Sequence, residues 1–182
     1  TPSLRRARER VWEALRGLPY VVEELEPALF IHFGTTYEYR DVLRGGASLL
    51  ASSGWASSCG CWLPASTHAA QRPTVAVNAF LAAGSAPDAS LLDSALDGHA
   101  TIGKGAIVAN VVTSGELTLQ PDLVLHQVPI DGGKSFVTRL FGVHDDPKVS
   151  IDRGGTFLNE PWDAWLACAQ VRPDQLWAED ET

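Results

Sequence analysis

Apolar residues recur at intervals of three and four near the start of the chain. Leu4, Ala7, Val11 and Leu15 share one stripe, with Trp12 beside them. The spacing predicts an amphipathic helix over residues 3–16, with Ser3 as its N-cap and Gly17 as its stop. Arg5, Arg6, Arg8 and Arg10 gather on this helix, but Glu9 and Glu13 interleave and Glu23, Glu24 and Glu26 follow, which describes a solvated face better than an anion patch. A short apolar stretch at residues 29–33 leads into Gly34-Thr35-Thr36 and then YEYRDVL. That order predicts a strand, a tight turn and a helix capped by Thr35 or Thr36, with Glu38 completing a capping box with Thr35. A helix N-terminus offers free N–H groups to an anion, but a plain cap is the simpler reading. Residues 45–73 are rich in Gly, Ser and Ala and read as loop with short strands, pinned to a core by Trp55 and Trp62.

From Val75 to Ile130 the period changes. Ile102 lies six residues after Leu96 and six before Val108, and Leu119 and Leu125 resume the interval after Ser114-Gly115-Glu116. Small residues fill the positions between. A period near six is neither a helix nor simple alternation. It fits a triangular coil in which each side is one short strand, the aliphatic residue points inward and small residues turn the corner. Three sides make a coil of about eighteen residues, and stacked coils share one core because none can bury its face alone. The predicted fold is therefore mainly β: a single-stranded left-handed parallel β-helix of hexapeptide-like coils, flanked by N-terminal and C-terminal helices. About three coils fit in residues 75–130; a plain β-sandwich is the alternative. The chain divides accordingly into a cap segment (1–73), the β-helix region (74–150) and a C-terminal capping segment (151–182).

The densest polar cluster follows. Phe136, Thr138 and Leu140 alternate with Val137, Arg139 and Phe141, a strand that Gly142 ends. His144, Asp145 and Asp146 crowd a turn closed by Pro147, with Lys148 after it. Imidazole and carboxylate can hold a metal or move protons, and lysine and arginine can hold phosphate. These residues, with Arg139, are the candidate ligand or interface turn. The competing reading is an Asp-Pro turn whose acids pair with Lys148 and Arg139. No spacing matches a zinc site. Farther on, Trp162, Trp165, Leu166 and Ala169 predict a short helix over residues 161–169 with Pro161 in its first turn, then a turn at Pro173, a docked Trp177 and a frayed acidic end.

Composition narrows the classes. The chain has 182 residues and a net charge of -8, against a duplex-binding module, which needs a basic stripe. Hydrophobic residues at 45% argue against disorder, and no apolar run is long enough for a membrane span. Cys59, Cys61 and Cys168 form no disulfide or zinc pattern and read as free thiols of a cytoplasmic protein. There is no Met and the chain opens at Thr1-Pro2, so it is expected to be a segment of a longer protein. Neither type of Gly-rich nucleotide loop and no nucleophile elbow is present, so no complete active site is expected and no catalytic or metal residue is named. His99 and His126 lie in or beside the coils. Hexapeptide-repeat acyltransferases use a histidine as general base, which makes an acyltransferase with His99 a further alternative.

The segments FIHFGTTYEY (30–39), FLAAGSAPDASLLDSALDGHATIGKGAIVANVV (80–112), HQVPI (126–130), FVTRLFGVHDDPK (136–148), GGTFLNEPWDAWL (154–166) and DQLW (174–177) occur in this order. Together they resemble the L-fucokinase/GDP-fucose pyrophosphorylase family, in the β-helix part of its pyrophosphorylase region. HFGTT, FGVHDDPK and the GTF-N-PW segment carry more of the likeness than the hexapeptide rhythm, which unrelated enzymes share. The resemblance implies a parent that joins L-fucose 1-phosphate to GTP, giving GDP-L-fucose and pyrophosphate with Mg²⁺. It implies an upstream nucleotidyltransferase-like domain and, in fused members, a downstream sugar kinase using ATP and fucose. The catalytic loops of both would lie outside these residues. This segment would then be a scaffold, regulatory or interface domain needing no cofactor of its own. The alternative is a non-catalytic structural or homo-oligomerisation module of a fucokinase.

Overall fold

The computed structural model describes residues 2–19, 21–24, 26, 32–45, 58–64 and 74–176. Most of the strand expected at 29–33, most of the 45–73 loop with Trp55, and the tail with Trp177 lie outside the described residues. The chain forms two compact units, Thr1–His32 and Phe33–Thr182. In the first, helix α1 (Pro2–Leu15) starts one residue ahead of the expected Ser3 cap, because proline suits a first helical turn, and ends before a turn at Arg16-Gly17. Its stripe of Leu4, Val11 and Trp12 is exposed. Among the described residues no helix is long and apolar enough to cross a membrane.

The second unit is a parallel β-solenoid. Strands β1 (Ser58–Cys59), β2 (Val75–Ser85) and β3 (Ser90–Ile102) stack in parallel. Strand β3 reveals the triangle. Its beginning pairs with β4 (Ile107–Ala109), its middle with β5 (Val112–Thr113) and its end with β6 (Leu117–Leu119), all parallel. One continuous strand facing three short ones means that each coil has three sides. The register gives the coil length: Ser90 pairs with Ile107 and Ile107 with Val124, steps of seventeen, whereas Val75 pairs with Ser90, a step of fifteen. These coils are slightly shorter than the expected eighteen, which the step from Ser58 to Ala76 meets. The stack also begins earlier than residue 74, at Ser58, and makes about four turns.

The six-residue rhythm is the side length. Leu96, Ile102 and Val108 are almost fully buried, and the parallel register sets Leu81 against Leu96, Leu91 against Val108 and Ile102 against Leu119. Neighbouring strands lie about 4.8 Å apart, so each aliphatic side chain packs directly on its counterpart in the next coil. Burying each contributes roughly 2 kcal/mol. Trp62 does not pin a core as expected. It bridges to Phe80 and stacks on its ring on the outer surface, at 5.3 Å between centroids.

Helix α2 (Thr36–Gly45) runs against one corner of the triangle. At that corner Asp88, Gly105 and Asp122 repeat at steps of seventeen, each with positive φ, because one left-handed residue turns the chain between sides. Arg40 pairs with Asp122 and Arg44 with Asp88, so two arginines one helical turn apart bind corners two coils apart. Gly105 lies between them; a Cβ there would collide with the Asp122 carboxylate. Beside Arg40, Tyr39 packs on an outer cluster of Ile107, Val124 and Val143.

The parallel stack ends in a hairpin. Strand β7 (Leu123–Ile130) pairs in parallel with β4, and β8 (Ser135–Gly142) then returns antiparallel along its full length. The strand expected for residues 136–141, and its stop at Gly142, are observed, but both of its faces are exposed up to Leu140. The hairpin, rather than the C-terminal helix, takes the place of a further coil on this side. Beyond it, β9 (Thr156–Phe157) and β10 (Glu160–Pro161) form a small antiparallel pair leading into helix α3 (Trp162–Ala169), with Pro161 at its N-cap and Leu166 buried. A single 3₁₀ turn follows at Pro173–Gln175, as expected.

Candidate functional site

Three segments meet beside the end of β8: Phe33–Tyr39 at the start of α2, the turn Gly142–Lys148, and residues 155–162. The first is built by its cap. Thr35 Oγ1 accepts from the Glu38 N–H at 3.2 Å, while Glu38 Oε2 accepts from the N–H groups of Thr35 at 3.0 Å and Gly34 at 2.7 Å. This is the expected capping box, with Thr35 as the cap. Glu38 thereby takes the place an anion would need, and Asp145 and Asp146 line the adjoining cleft of about 340 Å³. An added phosphate would face three carboxylates, which settles the N-terminus in favour of a plain cap.

Asp145 is the centre of the second and third segments. Its Oδ2 accepts from the N–H groups of Gly142 at 2.6 Å and Leu158 at 2.9 Å. Its Oδ1 accepts from the Asn159 N–H at 2.9 Å and the Thr156 hydroxyl at 2.8 Å. Partial burial pushes the carboxyl upward, but these four hydrogen bonds outweigh it and hold its pKa below the ordinary carboxylate value. Four donors occupy its lone pairs, so Asp145 is a structural anchor and has no capacity left to act as a base. Asn159 extends the network: its Oδ1 accepts from the His144 N–H at 2.9 Å, and its amide donates to the Asp122 carbonyl at 2.9 Å. Leu158 and Asn159 both have positive φ, a costly conformation for a non-glycine that the bonds from Asp145 sustain. Gly142 is required by close approach, since a Cβ there would collide with Asn159.

The other expected residues separate in role. Asp146 Oδ1 accepts from the Lys148 N–H at 2.9 Å and closes the Asp-Pro turn. His144 is exposed and lies against the Tyr37 ring, 5.1 Å between centroids. Lys148 is exposed, and Arg139 is exposed with its guanidinium 5.6 Å from the Phe141 ring. Among the described residues neither forms an ion pair with the acids, so the pairing expected of the turn does not occur. The turn thus brings together His144, Asp145, Asp146 and Lys148, while Arg139 stands on the strand before it. A second groove, about 640 Å³, runs past Arg139, Phe141, Phe157 and Trp162. Phe157 and Trp162 stack at 5.0 Å, and the Trp165 indole donates to the Phe157 carbonyl at 2.6 Å.

Among the described residues no three His, Cys, Asp or Glu side chains stand close enough to hold a metal. The Mg²⁺ implied for a parent enzyme finds no holder among them, and no chemistry through it is assigned to this chain. His99 is exposed on the third side of the coil, and His126 contacts Asn110 at 3.2 Å within a polar corner ladder. Cys59, Cys61 and Cys168 are free thiols. Sequence reasoning missed the Arg40–Asp122 and Arg44–Asp88 pairs and the role of Asn159. A signal existed: the dipeptide Pro-Asp recurs at 87–88 and 121–122, two coils apart, and arginines four apart on the facing helix match it.

The family model described as the fucose pyrophosphorylase domain matches residues 1–182. A bifunctional fucokinase/GDP-fucose pyrophosphorylase of Arabidopsis thaliana is 30% identical over 164 residues, covering 82% of this chain. The chain spans about 15% of the length of that curated relative. No solved structure matches.

Proposed function

The chain belongs to the fucose pyrophosphorylase domain family, and from that premise we propose that it is the β-solenoid part of a cytoplasmic fucose-salvage enzyme. The parent would join L-fucose 1-phosphate and GTP into GDP-L-fucose and pyrophosphate, with Mg²⁺ supplied to its catalytic centre. An upstream nucleotidyltransferase-like domain would perform that step, and a downstream kinase could supply the sugar phosphate from fucose and ATP. This segment serves as scaffold and interface for those domains.

The convergence of residues 33–36, FGVHDDPK and GTF-N-PW on one surface supports the reading. Asp145 and Asn159 are consumed in holding that surface together, whereas His144 and Lys148 point outward with their side chains available. A face held rigid from beneath and charged on top is suited to docking another domain. The full-length parent carrying His144→Ala or Lys148→Ala tests it. Reduced GDP-L-fucose formation with normal folding supports the interface, and unchanged kinetics of both activities would refute it.

A second reading rests on a different observation. Trp62, Phe80 and Val112 form an exposed apolar stripe on the second side of the solenoid. Such a stripe suits a non-catalytic homo-oligomerisation role. Sedimentation of the chain with Phe80→Glu against the unchanged chain separates the readings. Loss of an oligomer favours the stripe, and a monomer in both removes it.

A further inference from the structure

Strand β8 is the last strand of the solenoid sheet. It pairs with β7 on one side, and among the described residues no strand pairs with its other edge. Apart from Gly142, whose N–H and C=O bond Asp145, a free strand edge of this kind displays unpaired N–H and C=O groups. Natural edges are blunted by lysine, proline or bulges, but SFVTRLFG carries one charge, no proline and an unbroken register with its partner. Six of its eight residues are exposed.

The groove beside this edge has a telling lining. Thr138, Arg139, Leu140 and Phe141 all face it. Side chains alternate between the two faces of a strand, so a cavity touching four consecutive residues runs along the strand's edge. Phe157 and Trp162 form the opposite wall, stacked on each other. The groove therefore has an open hydrogen-bonding edge on one side and an aromatic wall on the other.

We infer that this groove binds an extended segment of a partner polypeptide, which adds a strand to β8. The segment is apolar at alternate positions, to pack on Phe157 and Trp162, and acidic opposite Arg139. A backbone edge is satisfied fully only by another backbone, which selects a peptide over a small solute. Arg139 is an exposed cation with no ion pair among the described residues, on a chain of net charge -8, which selects an acidic side chain. A second copy of this chain fits poorly. Pairing β8 with a second β8 offers Arg139 no carboxylate, since SFVTRLFG holds none, and brings -8 against -8. The inference goes beyond the interface role of the His144–Lys148 turn and does not depend on it, because its test reads binding to this chain rather than activity of a parent.

The test is selection from a displayed library of random nine-residue peptides on the chain, at low salt. The expected result is a consensus of alternating apolar residues with one Asp or Glu, and a tenfold or greater loss of affinity with Arg139→Glu. N-methylation of the selected peptide's backbone should abolish binding at every second residue and be tolerated between, because a strand turns alternate amides toward its neighbour. Trp162→Leu should weaken binding several-fold while the circular dichroism stays unchanged. No enrichment, tolerance of N-methylation at every position, or indifference to Arg139→Glu would overturn the inference. So would sedimentation as a dimer whose β8 amides are protected from hydrogen exchange, which would make the occupant a second copy.

Discussion

The coils and the surface beside β8 are held together by different means. In the coils, repetition does the work: Leu81 meets Leu96, Leu91 meets Val108, and Ile102 meets Leu119 through the same register again and again. The core cluster of the described residues is aliphatic, and Asp88 and Asp122 at the corners hold the arginines of α2. Beside β8 nothing repeats. One carboxylate collects donors from Gly142, Thr156, Leu158 and Asn159, and one asparagine joins His144 to Asp122. Stacking of this kind tolerates variation in coil length, as the steps of fifteen and seventeen show. A hub of four hydrogen bonds on one side chain tolerates none. The difference explains why the scaffold follows a rhythm along the chain, while the surface is built from segments that do not repeat.

The comparison can be broken first from the coil side. Leu96 is buried in the centre of the stack. Leu96→Ala leaves a cavity and should cost about 4 kcal/mol, measured as a shift in urea midpoint with one cooperative transition. A loss below about 1 kcal/mol would mean the coils are not a continuous core. Next is the staple between helix and corner. Arg44→Met strands the Asp88 carboxylate in a buried place and should cost about 3 kcal/mol. Asp88→Asn made together with it should recover much of that loss, which a mere packing defect would not allow.

Acidification sharpens the contrast from the other side. The Asp145 pKa is lowered in the folded chain, so its contribution is present above the ordinary carboxylate value of about 3.9. That contribution disappears as pH falls below this value and through the depressed folded pKa. Tyrosine or tryptophan fluorescence near Trp162 should therefore change in that acid window, and the Asp145→Asn chain should lack the change. The smallest expected effect on stability belongs to His144→Ala. The ring is exposed and stacks only on Tyr37, so the urea midpoint should move by less than about 0.5 kcal/mol in free energy. A larger loss would place His144 among the supports of the surface instead of on top of it.

The solenoid was legible because its cause is periodic. Leu96, Ile102 and Val108 stand six apart and all three are core residues. The capping box was legible because it is local, with Thr35 and Glu38 three residues apart. The hairpin was readable only in part. The alternation in residues 136–141 showed a strand, but nothing local said that it would pair antiparallel with residues 123–130 instead of starting another coil. The role of Asp145 was hidden for the same reason: its partners at 156–159 are more than ten residues away, and no spacing rule connects a carboxylate to backbone N–H groups across that distance. The candidate turn was chosen by polar density, which could not separate the anchor, Asp145, from the exposed His144 and Lys148. Trp62 misled because a large aromatic residue is usually buried, whereas here its ring covers Phe80 on the outside of the sheet.

The central claim is that the surface beside β8 is held by Asp145 independently of the coils. Native-state hydrogen exchange on the chain carrying Asp145→Asn tests it most directly. The account predicts that the Gly142, Leu158 and Asn159 amides exchange at least tenfold faster, while those of Leu91, Leu96 and Val108 keep their protection. Equal loss of protection in both regions, or none in either, would contradict it.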